Sequence, residues 1–370
     1  MRIVYILKKG LSCYPPCLNQ VLSLHDLGHE IVVYHGQDPT VNPILEAKGI
    51  EHHLLKSDRV SSNSLESAIN LLRYNFEIKK IIKRIGDDCL LWFGNAESAL
   101  MLRRSLKKKK YVLSVLELYD NLPFYRKRLK QIAKDALANV CCEPHRAQIM
   151  VAYYGLDSIP FVVPNKPYDL GEVCDIETLG LEEDTLTIIK NKNIVLYQGI
   201  ISQDRPLIPV AEALADLQRD FYFCIMGKAD KNFLESIRAI YPKTLHIPHI
   251  GAPNHLAITK FASIGIASYD FHILNNIFCA PNKIFEYAKY GVPMIVSNNI
   301  SLQETVGSFG CGECIDLRDK EEIKASILKI INGRDRYSKN ATAFYRSVDT
   351  LKEYQTVMKS VKERFEKCKR

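Results

Sequence analysis

Hydrophobic positions along this chain fall into two alternating series. In the first half, short apolar runs at residues 3–7, 31–34, 89–93, 111–115 and 139–142 alternate with longer stretches. Those stretches, 17–27, 64–85, 96–106 and 122–138, carry apolar residues at three- and four-residue spacing. The runs predict strands and the spaced stretches predict amphipathic helices. Gly28 directly follows Leu27 and marks a helix stop before the second strand. Strand and helix in regular order predict a parallel sheet wound on both faces. A second series opens at Ile194-Val195-Leu196-Tyr197 and continues at 222–226, 244–247, 264–267 and 293–296. Helices follow from about Lys320, and a charged amphipathic tail runs to Arg370.

Between the series, Phe161-Val162-Val163 gives way to Pro164-Asn165-Lys166-Pro167. Two prolines in four residues break both helix and sheet, and a polar, acidic stretch follows to about residue 190. The expected organisation is an α/β chain of two tandem Rossmann-like, doubly wound domains. The first spans 1–165 and a linker 166–190. The second spans 191–350, and a terminal helix, 351–370, returns toward the first. Two such domains place the expected active site in the cleft between them, facing the carboxyl ends of the strands.

Composition narrows the classes. At 370 residues, with 47% hydrophobic and 25% charged positions, the chain has the balance of a globular protein. No stretch reaches the roughly 18 apolar residues of a membrane-spanning helix, and Met1-Arg2 leads straight into a strand pattern too short for a signal peptide. A cytoplasmic location is expected, with eleven cysteines as reduced residues. Cys311-Gly-Glu-Cys314 lacks a second pair at zinc spacing and is expected to form a buried turn. His52-His53 reads as a surface pair on a short strand.

The net charge of +8 is uneven. Residues 1–167 hold 24 Lys and Arg against 16 Asp and Glu, and the remainder is balanced at 26 against 26. The excess sits in 79–84, Arg103-Arg104, Lys107 to Lys110 and Arg126-Lys127-Arg128, interleaved with Ile81, Ile82, Phe124, Tyr125 and Leu129. Such a pattern suits an anionic membrane surface or a phosphorylated acceptor, or else a set of solvated helix faces, and the membrane surface is the expectation taken forward. It carries no nucleic-acid recognition motif.

The most informative segment is Ala280-Pro281-Asn282-Lys283-Ile284-Phe285-Glu286-Tyr287, closed by Gly291-Val292-Pro293. Pro281 suits a first helical turn and Gly291 a helix end. Lys283 and Glu286 lie three apart on one face. They fit a diphosphate at the helix N-terminus and a ribose beside it, or else a surface ion pair. Tyr197-Gln198-Gly199 ends a strand in glycine, with Arg205 in the loop and a helix from about Pro206. Ile225-Met226-Gly227 and Ile266-Ala267-Ser268-Tyr269 repeat the design.

Together these segments, clearest over 193–316, resemble the retaining GT-B glycosyltransferases of family 4, the glycosyl transferases group 1. The resemblance implies a hexosyl-type transferase moving a sugar from a UDP- or GDP-sugar donor to a sugar or lipid-linked acceptor. It implies no metal cofactor, and a setting in surface polysaccharide or glycolipid assembly at the inner face of the plasma membrane. It places donor contacts at Gly199, Arg205, Gly227, Tyr269, Asn282, Lys283 and Glu286, with Glu286 on the ribose and Arg205 where a lysine is usual. Glu117 and Asp120, near a first-domain strand end, are the expected contacts to the reacting sugar or acceptor. His246 and His249 fall near the donor base. Three positions depart from the family pattern. Ile200 follows Gly199, Phe278 stands where a paired glutamate is usual, and residues 114–120 hold no histidine. The missing carboxylate's role is left empty or moved to Asn275, Asn276 or Tyr269. The alternatives are a nucleotide-sugar epimerase of the same fold and a non-catalytic nucleotide-sugar-binding subunit. A nicotinamide dehydrogenase is disfavoured by the single glycine of Lys8-Lys9-Gly10-Leu11-Ser12, where no G-x-G-x-x-G follows the first strand.

Overall fold

The computed structural model describes residues 1–58, 64–171, 173–203, 205–217 and 219–367, with the backbone alone for 64 and 65. The end of the amphipathic tail, including Arg370, lies outside the described residues. Two compact units are present. One holds residues 1–168 together with the C-terminal stretch from Asp349, and the other holds Asp169–Val348.

The first unit is built on a parallel sheet of seven strands: β1 (Arg2–Ile6), β2 (Glu30–His35), β3 (Glu51–Leu54), β4 (Leu90–Phe93), β5 (Tyr111–Ser114), β6 (Ala138–Cys141) and β7 (Phe161–Val162). Their order is β3-β2-β1-β4-β5-β6-β7. β1, β4 and β5 are apolar and buried almost throughout, as strands covered by helices on both faces must be. The helix Pro15–Asp26 ends at Gly28, whose φ of +77° a glycine adopts without strain. The expected helix over 96–106 is instead a 3-10 turn, Ala96–Ser98, and a short helix, Arg103–Leu106. Asn95 caps the first by accepting the Ser98 amide at 3.0 Å. Ile82 and Leu129, expected on an outward face, are buried. Much of the Lys107–Lys110 run is also engaged. Lys109 reaches the Ile85 carbonyl and Asp87 at 2.8 Å each, and Lys110 lies over the Phe365 ring.

The second unit carries six parallel strands: β8 (Asn193–Gln198), β9 (Phe221–Met226), β10 (Thr244–Ile247), β11 (Ile264–Ala267), β12 (Met294–Ser297) and β13 (Gly312–Ile315). They run in the order β10-β9-β8-β11-β12-β13. Residues along β8 alternate between two cores, Ile194 and Leu196 in one, Val195 and Tyr197 in the other. That is the period-two pleat of a strand dressed with helices on both sides. The linker expected at 166–190 contains a 3-10 turn, Ile176–Leu179, and most of a helix, Glu183–Asn191, which buries Ile189. Its many acids and lysines disguise that one apolar stripe. Cys311 and Cys314 do not form a turn: Cys311 precedes β13 and Cys314 lies within it, their thiols near the Val306 and Leu302 carbonyls. The cysteines among the described residues are free thiols. No described helix is long and apolar enough to cross a membrane.

Candidate functional site

In each sheet the strand order reverses once, between β1 and β4 and between β8 and β11. At such a switch point the loops leave in opposite directions and open a crevice at the carboxyl ends. Both loops in the second unit begin with residues that the sequence singled out. β8 ends in Gln198 and Gly199, and β11 is followed by Ser268, Tyr269 and Asp270. Gly199 and Gly227 have φ of +141° and +148°, a region open to glycine and closed to other residues. A side chain on Gly227 would also run into the Gly199 carbonyl, and one on Gly199 would come within 3.1 Å of Lys283 Nζ. These glycines let two chain turns and a lysine converge.

The helix Asn282–Lys289 stands over this point, with Pro281 as its N-cap and Gly291 (φ +64°) ending it. Tyr287 fixes its depth. The Tyr287 hydroxyl lies 3.1 Å from the Leu196 carbonyl and 3.2 Å from that of Ile266, one on each strand flanking the switch. Its ring fills the space that Gly265 leaves by having no Cβ. Lys283 and Glu286 are thereby turned toward the end of β8. The helix that begins the loop's far side starts at Ile208 rather than Pro206.

Arg205 and Lys283 converge on one aromatic ring. The Arg205 guanidinium carbon is 5.0 Å from the Tyr269 ring centre and Lys283 Nζ 5.5 Å, with Lys283 also 4.7 Å from that of Tyr197. Arg205 donates to the Ser268 carbonyl at 3.1 Å, spanning the switch point. Among the described residues neither cation forms an ion pair, so the surface-pair alternative for Lys283 and Glu286 is set aside. Glu286 is instead buried. One carboxylate oxygen accepts the Gln198 amide, and the other lies 3.3 Å from His255 Nε2. Thr259 donates to the Gln198 carbonyl oxygen at 2.9 Å, which orients the Gln198 amide toward Glu286.

Burial and the neighbouring Arg205 charge lower the Lys283 pKa to about 7, against an attraction from Glu286. Free Lys283 is therefore partly neutral near pH 7, and a bound diphosphate would restore its charge. Affinity for a nucleoside diphosphate is expected to fall as pH rises from 7 to 9, with proton uptake on binding above pH 7. Titration calorimetry in buffers of different ionisation enthalpy reads that uptake, and a pH-independent affinity without proton exchange would contradict it. In the free protein the sign is opposite. Between about 7 and the ordinary lysine value the unfolded chain binds more protons at this group, so its contribution to stability rises with pH.

Other expected residues are placed differently. Asn282 opens the helix beside Lys283. His246 lies within β10, its Nε2 3.0 Å from the Gly227 carbonyl, and His249 follows with its pKa lowered by burial and by Lys228. Sequence reasoning also overlooked Asp270, which directly follows Tyr269 and lies within reach of Asn276 and Arg205. Burial pushes its carboxyl up, but the His272 amide at 2.9 Å, the Asn276 side chain and Arg205 outweigh it and hold it low. Gln198, Thr259 and His255 were also missed, because no local pattern ties a loop histidine to a glutamate 31 positions later.

In the first unit, Glu117 follows β5 and is half-exposed, 3.6 Å from the buried Arg146 guanidinium, which also bonds the Leu116 carbonyl. Asp120 lies in the same loop, partly buried. Between them Tyr119 holds a φ of 55°, uncommon for a tyrosine, and stacks on Tyr125 at 5.1 Å. The Glu97 carboxylate acts electrostatically on Tyr14, Tyr119 and Tyr125, whose pKa values burial raises first. Tyr14 and Tyr119 thus lie within electrostatic reach of each other and of Glu97 and Glu117 near the end of β5, and the sequence pointed to Glu117 alone among them.

No family model matches the chain, and no curated protein matches it. Solved structures do. A glycosyltransferase from Rickettsia africae matches with a TM-score of 0.67 at 16% identity, covering 98% of both chains. Sucrose-phosphate synthase from Thermosynechococcus elongatus matches with a TM-score of 0.72 at 13% identity, over 98% of this chain and 99% of that one. The fold is GT-B. Anabaena HepE, solved with UDP-glucose, matches with a TM-score of 0.67 at 12% identity, over 98% and 100%. A putative UDP-N-acetylglucosamine 2-epimerase from Listeria monocytogenes shares the fold too, at 0.66 and 13%. Within the GT-B fold, both sheets are Rossmann-like and each presents its switch point at the strand carboxyl ends.

Proposed function

We propose that this protein is a glycosyltransferase that moves a hexosyl group from a nucleotide-diphosphate sugar to an acceptor hydroxyl, with retention of anomeric configuration. One observation carries the reading: Arg205 and Lys283, two cations that form no ion pair among the described residues, meet at Tyr269 beside the buried carboxylate of Glu286. A diphosphate needs the first pair and a ribose diol the second. As the bond from the anomeric carbon to the diphosphate oxygen breaks, negative charge grows on the departing group, and fixed cations there lower the barrier. The acceptor oxygen bonds the same carbon from the same face, and its proton passes to the departing diphosphate. No protein nucleophile enters. Arg205, Lys283 and the N-terminus of Asn282–Lys289 supply the positive charge, so transfer is proposed to need no metal. Assembly of a surface polysaccharide or glycolipid, on a sugar or lipid-linked acceptor, is the proposed setting. UDP- and GDP-sugars are the proposed donors.

The test is a thermal-shift panel of uridine, guanosine and adenosine diphosphates with and without a chelator, followed by the matching nucleotide sugars. A diphosphate at a hundred times its dissociation constant is expected to stabilise the fold by about 2.7 kcal/mol, in the chelator as well. Release of nucleotide diphosphate with acceptor present marks transfer. An epimerised sugar with no nucleotide released would replace the reading by epimerisation, and no stabilisation by any diphosphate would end it.

A further inference from the structure

The helix Ser64–Arg84 of the first unit is amphipathic in an unusual sense, since it carries apolar residues on two opposite sides. Tyr74, Ile78 and Ile82, at four-residue spacing, are at most 2% exposed and pack into the unit's core. Phe76 lies two residues from both Tyr74 and Ile78, about 200° around the helix from each. Leu72 and Ile69 fall on the same outward side as Phe76, at spacings of four and three. Leu72 is 67% exposed, Phe76 62% and Ile69 39%. Large apolar side chains this open are disfavoured in water unless something covers them.

The charge around this stripe indicates what covers it. Arg73, Lys79, Lys80, Lys83 and Arg84 share the helix with it, and among the described residues none of the five forms an ion pair. Lys80 Nζ sits 4.3 Å over the Phe76 ring. Between this helix and the edge strand β3 runs a groove lined by Leu54, Lys56, Arg73, Phe76, Lys80 and Arg84. The acid that also faces it, Glu77, is already engaged, since its two oxygens accept the Lys56 and Ser57 amides at 3.0 and 3.1 Å. Projecting apolar side chains flanked by unpaired cations match a layer that is apolar beneath and anionic at its surface.

We propose that this helix face and the adjoining β3 edge bind an anionic lipid bilayer, with Leu72 and Phe76 entering the headgroup boundary and the five cations meeting lipid phosphates. The apolar contacts are thus Ile69, Leu72 and Phe76, in place of Ile82, which is spent in the core. An acidic protein surface would satisfy the charge, but it offers no apolar layer for Ile69 and Leu72, which lie outside the groove's lining. The surface lies in the first unit and rests on none of the donor-site residues, so the two readings stand or fall separately.

The experiment is co-sedimentation of the full chain with vesicles of phosphatidylcholine alone and of equal parts phosphatidylcholine and phosphatidylglycerol. Binding is expected to the second and not the first, and to weaken with salt. Lys80→Gln and Lys83→Gln are each expected to weaken it about fivefold, and the double variant Leu72→Ser/Phe76→Ser about tenfold or more. All these positions are exposed, so melting temperature and nucleotide-diphosphate binding serve as controls that the variants are folded. Absence of binding to anionic vesicles at low salt overturns the proposal, as does equal binding to neutral ones. Binding that survives both sets of variants would also overturn it. Loss of a co-purifying acidic protein in the Phe76 variant, with no vesicle binding by the parent, would assign the face to a protein partner instead.

Discussion

Replacing Lys283 or Arg205 with alanine is expected to lower turnover by about two orders of magnitude while leaving affinity for a bare nucleoside nearly unchanged. The magnitude is that of removing one fixed donor from a site where transition-state charge develops. The split between turnover and nucleoside binding follows from position. Both cations stand around Tyr269 at the β8/β11 switch point, and Arg205 is tethered there through the Ser268 carbonyl. Neither belongs to the Gln198–Glu286–His255 group. A residue that acts only on departing charge lowers kcat, whereas one that shapes the pocket weakens ground-state binding as well. Steady-state kinetics on the two variants, with nucleoside and nucleoside-diphosphate affinities measured in parallel, decides between these. Equal loss of nucleoside affinity would turn both cations into pocket-shaping residues.

Glu286→Ala is expected to weaken a nucleoside diphosphate by ten- to a hundredfold, from the roughly 1.5–3 kcal/mol of hydrogen bonds to a charged acceptor. Inorganic pyrophosphate, which has no ribose, should bind the variant as it binds the parent. The structure adds a second effect. Glu286 is buried, with the Gln198 amide on one oxygen and His255 on the other. Its removal leaves the buried Gln198 amide and the partly buried His255 each short of a partner, and a loss of about 1–3 kcal/mol in stability is expected with it. The sequence reading of Glu286 as a ligand outside the core foresaw no such loss. Denaturant unfolding reads the stability term, and competition binding of the diphosphate against pyrophosphate reads the ribose term. Unchanged diphosphate affinity would remove the ribose role, and unchanged stability would show that the buried network contributes nothing.

Much of this was legible in the chain because the signals are local. Apolar runs broken by periodic stretches gave both parallel sheets, since a strand covered on two faces must be apolar whichever neighbour it pairs with. Pro281 and Gly291 bracketed the Lys283–Glu286 helix because proline and glycine act on their own φ angles. The helix expected over 96–106 is broken into Ala96–Ser98 and Arg103–Leu106, and the apolar spacing gave no sign of that break. Tertiary structure alone decided what each polar group meets. The strand order that set Arg205 beside Lys283 depends on which edge each crossover returns to, and no single segment encodes that. Glu286 became buried because β8 delivers Gln198, and the loop before Thr259 delivers His255, from 88 and 31 residues away. The helix Ser64–Arg84 read from sequence as one amphipath. Only packing revealed that Tyr74, Ile78 and Ile82 satisfy the core alone, leaving Leu72 and Phe76 outside, because periodicity counts apolar residues without saying which side finds a partner.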